Sequence, residues 1–376
     1  MKMKHRFAAM AGFVLCAISS VSLGGHGDGY GDDDIYLGET SNDTIQRCDI
    51  QRGNCQTFVQ SQAGGLRGSR GMFFSGSKLL VVNQNVNQPA SGEVLSYYAR
   101  SGEFAGKIVS SGDPKPPYAP RGMVRGGPGN NIYVAEFGLE TGPCADGHIR
   151  KYDGHTHTWL RDLSIEGFVA DGKPGFHPRG LVFGPDGYLY VTAFGCPTSV
   201  GAEYDPEAGY VLRFDPRTDK FDKRIVSNLK GAPLLHRPEG IMFDRKGSLW
   251  VTSFRKNSSD KSQLDVLLRI DVKRQTQSGF IPLGRSENDD LKHYRTSAQV
   301  IVQGPDGDIF APIARGPTVS GPDGYAIAPV QGQGEVWRCS PGSGQCRTVV
   351  RGGALTNPWY AIFRFSDPAT LEYMDD

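Results

Sequence analysis

One sequence unit recurs along most of this chain. Residues 177–195 read HPRGLVFGPDGYLYVTAFG, close variants occupy 119–138 and 237–254, and weaker ones begin at 68, 297 and 357. The residue before the repeated glycine position is, in chain order, Arg70, Arg121, Arg179, Glu239, Gln299 and Trp359. These positions follow one another at steps of 51, 58, 60, 60 and 60 residues. Self-similarity at such a period indicates a propeller or a solenoid.

Each copy has the pattern of a β-hairpin. In the 177–195 copy, the apolar run Leu181–Phe183 precedes the turn Gly184–Gly187 and a second apolar run, Tyr188–Val191. Proline fixes one dihedral angle of such a turn, aspartate bonds its own backbone, and glycine accepts a positive φ. A second hairpin follows in every unit. Each unit therefore supplies four antiparallel strands, the content of one propeller blade.

The repeats predict an all-β fold, a six-bladed β-propeller with four-stranded antiparallel blades. Five complete units begin at the first five of the six positions above, and the sixth unit is split between the chain ends. Its inner strand is expected at 357–365, and its other strands at 35–37, 44–48 and 55–59. Pairing the two ends closes the ring and leaves no free sheet edge. The alternative, six unrelated hairpins in a sandwich, conflicts with the regular step.

The N-terminus has the organisation of an export signal. Three basic residues fall within the first six, an apolar run extends from Phe7 to Ile18, and small and polar residues follow. We predict a signal peptide over 1–24, a flexible acidic leader over 25–34 and a single propeller domain over 35–376. The apolar run is too short to span a membrane. We expect a secreted or periplasmic protein, with a lipoprotein anchored at Cys16 as the alternative to a cleaved soluble form.

The net charge of the chain indicates which kinds of partner it binds. The chain has a formal net charge of +1, and loss of the three basic residues of the signal takes it to −2. This charge does not favour nucleic-acid binding. We expect a monomer that binds a small anionic molecule, with neither nucleic acid nor a membrane span. A protein partner on the loop-bearing face is an open alternative.

Six cysteines lie outside the predicted signal. Cys48 and Cys55 flank one hairpin turn, and Cys339 and Cys346 flank the equivalent turn of another repeat. An even number in an exported chain predicts disulfides, here one within each hairpin. A third, Cys144–Cys196, would join the long loops of adjacent blades. None of these pairs has the CxxC spacing of a metal site.

The Pro-x-Gly, the apolar triplet, the PDG-like turn and the Leu-Tyr-Val run resemble the repeats of NHL-type and SMP-30/gluconolactonase-like six-bladed propellers. They are also similar to those of virginiamycin B lyase-like proteins. The resemblance covers nearly all of the chain after the signal, and it implies a lactonase-like hydrolase or, from the last group, a lyase. In the calcium-dependent lactonase-like members, the x residue often supplies Asn or Asp to a central metal. Here Arg121, Arg179 and Glu239 hold these positions, so we predict no metal, with a central calcium ion as the alternative.

Equivalent positions on six inner strands form a ring around the tunnel. This ring contains three guanidinium groups, one carboxylate, one amide and one indole, from Arg70, Arg121, Arg179, Glu239, Gln299 and Trp359. Arginine presents a planar fork of donors that suits carboxylate or phosphate. The excess of positive charge predicts an anion-binding site. The alternative is a ring of salt bridges and waters that merely plugs the tunnel.

Further residues are candidates for the site. His177 and His236 precede the ring positions, and either can act with Glu239 in proton transfer. Glu136, at the end of a second strand, and Tyr325, in the long loop 313–334, are predicted to contact the ligand. The predicted function is therefore an exported propeller that binds and transforms a small anionic or lactone-like molecule at the tunnel mouth. A non-catalytic binding or scaffold propeller is the alternative.

Overall fold

The computed structural model describes residues 33–85, 91–138, 145–171, 175–196, 208–254, 264–283, 296–314, 334–351, 353 and 355–374. These residues form short strands joined by turns, with single 3-10 turns at Ala63–Gly65, Pro128–Asn130 and Pro305–Gly307. The strands, in chain order, are β1 (Asp34–Glu39), β2 (Thr44–Asp49), β3 (Cys55–Val59), β4 (Ser69–Ser75), β5 (Lys78–Asn83), β6 (Glu93–Tyr98), β7 (Phe104–Val109), β8 (Pro120–Gly126), β9 (Asn131–Glu136), β10 (His148–Tyr152), β11 (Trp159–Asp162), β12 (His177–Phe183), β13 (Leu189–Phe194), β14 (Gly209–Asp215), β15 (Lys220–Ser227), β16 (Arg237–Phe243), β17 (Leu249–Phe254), β18 (Asp265–Asp271), β19 (Thr276–Leu283), β20 (Val302–Gln303), β21 (Ile309–Ile313), β22 (Glu335–Ser340), β23 (Gln345–Arg351) and β24 (Pro358–Phe363).

The strands form six four-stranded antiparallel sheets, which are the blades of a propeller. Blades 1 to 5 are β4–β7, β8–β11, β12–β15, β16–β19 and β20–β23, with the first strand of each innermost. The closing blade has the order β24-β1-β2-β3, and β24 pairs with β1 from Ile35–Phe363 to Glu39–Pro358. The predicted six-bladed fold, closed by strands from both ends of the chain, is confirmed.

An aromatic contact recurs between neighbouring blades. A ring on the second strand of one blade meets, edge to face, the ring near the end of the inner strand of the next blade. Centroid distances are 4.9 Å for Tyr36–Phe74, 5.4 Å for Tyr133–Phe183, 5.0 Å for Tyr190–Phe243 and 5.0 Å for Phe310–Phe363. Such pairs contribute about 0.5–1.5 kcal/mol each beyond the area that they bury. The periodic aromatic residues of the sequence thus hold the blades side by side.

The segment that follows β24 crosses one end of the ring. Carbonyl groups of Pro368, Ala369 and Leu371 accept hydrogen bonds from backbone amides at the same position of three repeats, four residues after the ring residue. These amides belong to Arg125 (2.9 Å), Phe183 (2.8 Å) and Gln303 (3.3 Å), in blades 2, 3 and 5. The inner strands begin at the opposite end of the tunnel, where the ring residues lie. The C-terminal segment therefore closes the end away from these residues.

Two disulfides lie in the described part of the chain as predicted. Cys48–Cys55 and Cys339–Cys346 join cross-strand neighbours, with Cα separations of 4.1 and 4.0 Å. Cys196 is also disulfide-bonded, whereas Cys144 lies outside the described residues. Disulfides of this kind are typical of an oxidising compartment. Within the described ranges, no helix has the length and apolarity needed to cross a membrane. The signal peptide and residues 25–32 of the leader fall outside these ranges and stay predictions, whereas Asp34, the last residue of the predicted leader, begins β1 and is buried in an ion pair with Arg47.

We expect peptide mapping of the mature protein under non-reducing conditions to recover a peptide pair that joins Cys144 to Cys196. The reason is that both cysteines follow second strands of adjacent blades, and Cys196 has no free thiol. Alkylation of the unfolded, unreduced chain is the matching measurement and should label no cysteine. A labelled Cys144, or Cys196 linked to another cysteine, would contradict the prediction.

Candidate functional site

A β-bulge precedes the body of each inner strand in blades 1 to 4. In blade 3, Pro178 pairs with Ala193 and the next paired residue is Leu181, so Arg179 and Gly180 stand outside the register. The same shift isolates Arg70–Gly71, Arg121–Gly122 and Glu239–Gly240. A bulge bends a strand and redirects the side chain that it releases. The ring residue of each of these four blades therefore lies in a β-bulge.

The glycine of each bulge meets the backbone of the next blade. A Cβ atom placed on Gly71 would lie 2.5 Å from the amide nitrogen of Met123, and one on Gly180 would lie 2.5 Å from the carbonyl oxygen of Glu239. Gly122 and Gly240 have equivalent contacts at 2.6 and 2.7 Å. These contacts leave no room for a side chain. The inner strands are so close together here that the bulge glycine cannot carry a side chain. Only the residue before each glycine has room for one, on the side of the tunnel axis.

All six predicted ring residues line one central cavity. The polar side chains come from Arg70, Arg121, Arg179, Glu239, Gln299 and Trp359, and Leu371 of the C-terminal segment reaches the same cavity. The cavity volume is about 30 Å³, which is room for about two water molecules. The structure therefore assembles the predicted ring around a narrow space with polar and apolar walls.

Glu239 is held by two arginines. Nη2 of Arg179 donates a hydrogen bond of 2.7 Å to Oε1 of Glu239, and Nε of Arg237 lies 3.6 Å from the same oxygen. All three side chains are buried. Arg237 stands two residues before Glu239, at the position that His177 holds in the preceding repeat, and it was not among the predicted site residues. Its guanidinium adds a positive charge beside the three of the ring.

Aromatic rings cover the faces of the ring arginines. The guanidinium carbon of Arg70 lies 3.9 Å from the centroid of Trp359. That of Arg179 lies 4.5 Å from Phe137 and 4.8 Å from Phe194. Such stacking fixes the guanidinium plane and leaves the N–H groups at its edge for hydrogen bonding. Phe137 and Phe194 were missed from the sequence, although a phenylalanine recurs at this point as EFG, AFG and SF.

Several of these N–H groups have no acceptor among the described residues. Nη1 of Arg70 donates to the carbonyl of Ser69 at 3.0 Å, while its Nε has no partner. Nε and Nη1 of Arg179 likewise have none. Burial, and next the charge of Arg179, lower the pKa of Arg70 to about 9, so Arg70 is still protonated at neutral pH. Leaving buried donors unsatisfied is costly, and an anion or water in the cavity would satisfy them.

The two candidate histidines lie beside the ring, and neither lines the cavity. The ring of His177 is buried against Phe137 and Phe194, with centroids 4.9 and 5.8 Å away. Its Nδ1 lies 2.7 Å from the carbonyl oxygen of Phe137, which can only accept, so Nδ1 carries the proton of the neutral ring. Burial lowers the pKa of His177. His236 is half-buried, and its backbone amide donates to Oγ of Ser253 at 3.0 Å.

Glu136 lies outside the cavity lining. Its buried carboxylate pairs with Arg150 on the neighbouring strand β10. Equivalent residues at the ends of other second strands hold the chain that leads into an inner strand. Oε1 of Glu39 accepts from the amide of Asn357 at 2.9 Å, and Oδ1 of Asn83 accepts from the amide of Arg67 at 2.7 Å. Tyr325 lies outside the described residues.

The ring residues do not fit a divalent cation. Their one carboxylate is already bound by Arg179 and approached by Arg237, and the other members are mainly cationic. Elsewhere in the described ranges, no group of three histidine, cysteine, aspartate or glutamate side chains is close enough to hold a metal ion. The donor set therefore differs from the calcium site that the repeat resemblance implies.

No protein-family model and no curated protein matches the sequence. Solved structures named as gluconolactonases are among those that resemble the chain. A gluconolactonase from Xanthomonas campestris is 13% identical, with a TM-score of 0.47 over 87% of this chain and 86% of that one. A luciferin-regenerating enzyme is 12% identical, with a TM-score of 0.47 over 86% and 94%. An exo-β-1,3-galactanase from Clostridium thermocellum is 13% identical, with a TM-score of 0.50 over 78% and 65%. At these identities the likeness concerns the fold alone.

We predict that Glu39 makes the fold less stable as the pH rises. Burial raises the pKa of this fully buried carboxyl from 4.5 to about 7, against the opposing effect of its backbone hydrogen bonds. Between these two values the unfolded chain has released the proton and the folded protein has kept it, so the free energy of unfolding falls as the pH rises. Above about 7 the loss is complete, and it amounts to roughly 3 kcal/mol.

The matched variant is Glu39→Gln, which keeps an acceptor for the amide of Asn357 and cannot ionise. Denaturant unfolding at pH 5 and pH 8 should show wild type losing more stability than the variant over that interval. Equal losses in the two proteins would show that Glu39 does not titrate in this range.

Proposed function

We propose that this chain is an exported β-propeller that binds a small anionic or lactone-like molecule at the mouth of its central tunnel. The observation that carries the proposal is a set of buried N–H groups on Arg70 and Arg179, two side chains that line one cavity; these groups have no acceptor among the residues that the structure describes. Arg70 is 6% exposed and Arg179 is 5% exposed. In such a setting a hydrogen bond to an anion is stronger than in water. The disulfides fit export to an oxidising compartment.

The charges favour an anion over a plug of mutually paired side chains. The ring has three guanidiniums and one carboxylate, and Arg237 adds a fourth cation beside Glu239. Within the described ranges, Arg70 stacks on Trp359 and bonds to a backbone carbonyl, with no carboxylate in contact. Burying a cation without a counter-ion is destabilising, so a ring that only filled the tunnel would be expected to pair Arg70 with a carboxylate. An anionic ligand supplies the missing charge.

Glu239 and the aromatic rings hold the donors in place. The bond from Arg179 fixes one edge of its guanidinium, and Phe137 and Phe194, whose ring centroids are 5.7 Å apart, both pack against it from one side. Donors whose orientation is set before binding lose little freedom when the ligand arrives. We therefore assign Glu239 the role of positioning Arg179, in addition to its candidacy in proton transfer.

Hydrolysis of a lactone is the second candidate function, and the tautomer of His177 favours it. Since Nδ1 carries the proton, Nε2 presents a lone pair, and the lowered pKa keeps the ring neutral. Nε2 is itself buried, has no partner among the described residues and lies outside the cavity lining, so it would accept a proton only from a water or substrate atom that reaches it beside the ring. Water added across the ester bond of a lactone yields a hydroxy acid, whose carboxylate matches the arginine ring. Product formation from a lactone panel by wild type, lost in His177→Gln, would separate an enzyme from a binding protein.

We expect Arg179→Ala to weaken acetate and gluconate binding by a charge-assisted hydrogen bond, roughly 1.5–3 kcal/mol or about 10- to 150-fold in Kd. Calorimetric titration of both proteins measures the change. Arg217→Ala removes the same charge from an exposed site on an outer turn and is the matched control, with affinity expected to stay near that of wild type. Failure of both anions to bind wild type, or to raise its melting midpoint, would leave the ring as a structural plug.

A further inference from the structure

We propose that the ligand binds in the central cavity by a planar carboxylate group rather than by a phosphate or sulfate group. We further propose that the side chain of Leu371 determines this preference. The inference rests on the proposed function, because it specifies the ligand of that same site. Three observations support it: the volume of the cavity, the immobility of its walls and the apolar residue at its closed end.

The volume favours a small head group. A cavity of about 30 Å³ holds about two water molecules, and the two oxygens of a carboxylate take up similar room. A tetrahedral phosphate or sulfate brings three or four oxygens to the same space. The remainder of a larger ligand would have to lie above the ring, toward the mouth of the tunnel.

The strands that form the walls of the cavity cannot easily move apart. The bulge glycines already touch the backbone of the neighbouring inner strands, with positions for Cβ atoms only 2.5 to 2.7 Å from it. Widening the ring would therefore separate blades that are packed along their whole length. Trp359 and the two phenylalanines hold the planes of Arg70 and Arg179. The donors thus surround a space of fixed width.

The closed end of the cavity is apolar. Leu371 is 1% exposed and lines the cavity together with Leu181 and Ile241. It adopts a positive φ of 58°, and its carbonyl accepts a hydrogen bond from the amide of Gln303. A third or fourth oxygen of a tetrahedral anion would face these side chains without a donor. Burying an oxygen in that way is unfavourable, whereas a carboxylate can direct both oxygens to the ring.

Competing anions test the proposal on the full-length mature protein. Acetate and sulfate are titrated calorimetrically at one ionic strength, set with a bulky sulfonate buffer. We expect wild type to bind acetate at least about tenfold more tightly than sulfate, in spite of the double charge of sulfate, because one sulfate oxygen is left unsatisfied. Sulfate binding as tightly as acetate would overturn the proposal while supporting the proposed anion site. Binding of neither anion would overturn both.

Two substitutions test the role of Leu371. Leu371→Gly removes the side chain at a position whose positive φ suits glycine, so the fold should be retained. Leu371→Asn keeps much of the volume, tolerates the same φ and adds a donor. Both should reduce the preference for acetate to within about threefold, since the fourth oxygen gains space or a partner. The control Thr370→Ala alters the neighbouring residue outside the cavity lining and should keep the preference of wild type. A preference unchanged in both variants would exclude Leu371 as the determinant.

Discussion

The inner strands of this propeller meet backbone to backbone at the bulge glycines, and the central site depends on that contact. A side chain at Gly122 or Gly180 would collide with the strand of the next blade. The preceding residue has left the ladder register and has only the tunnel side open to it. The spacing of the blades and the identity of the tunnel lining are therefore fixed by the same three-residue unit. The edge-to-face aromatic pairs between neighbouring blades stabilise the same spacing.

Electrostatics and packing are coupled at the centre. Glu239 neutralises part of the charge of Arg179 and Arg237, while Trp359 and Phe137 cover guanidinium faces that would otherwise be desolvated without compensation. Nε of Arg70 and Nε and Nη1 of Arg179 have no acceptor in the described part of the chain. Such a centre is poorly suited to a calcium ion and well suited to an anion. The chemistry of the ring thus differs from the calcium site that the repeat resemblance implies.

The sequence predicted what the repeat carries. Each repeat places one residue at the same point of its inner strand, so the ring from Arg70 to Trp359 could be predicted without a structure. The repeat could not reveal Leu371, because the segment around it belongs to no unit and is placed by bonds to strands distant in sequence. The contact of Arg237 with Glu239 could not be predicted from the repeat, because a basic residue does not recur at that position, which holds His177 in the preceding repeat and Ser297 in the next. Phe137 and Phe194 did recur visibly, but only the geometry shows that they stack on an arginine.

The central claim is that the arginine ring binds an anion inside the tunnel. Anomalous diffraction at the bromine edge, from crystals soaked in sodium bromide, tests it most directly because bromide is small enough for the cavity. We expect an anomalous peak within about 3.5 Å of guanidinium nitrogens of Arg70 and Arg179. Bromide confined to the outer surface of the blades, with only water between these arginines, would contradict the claim.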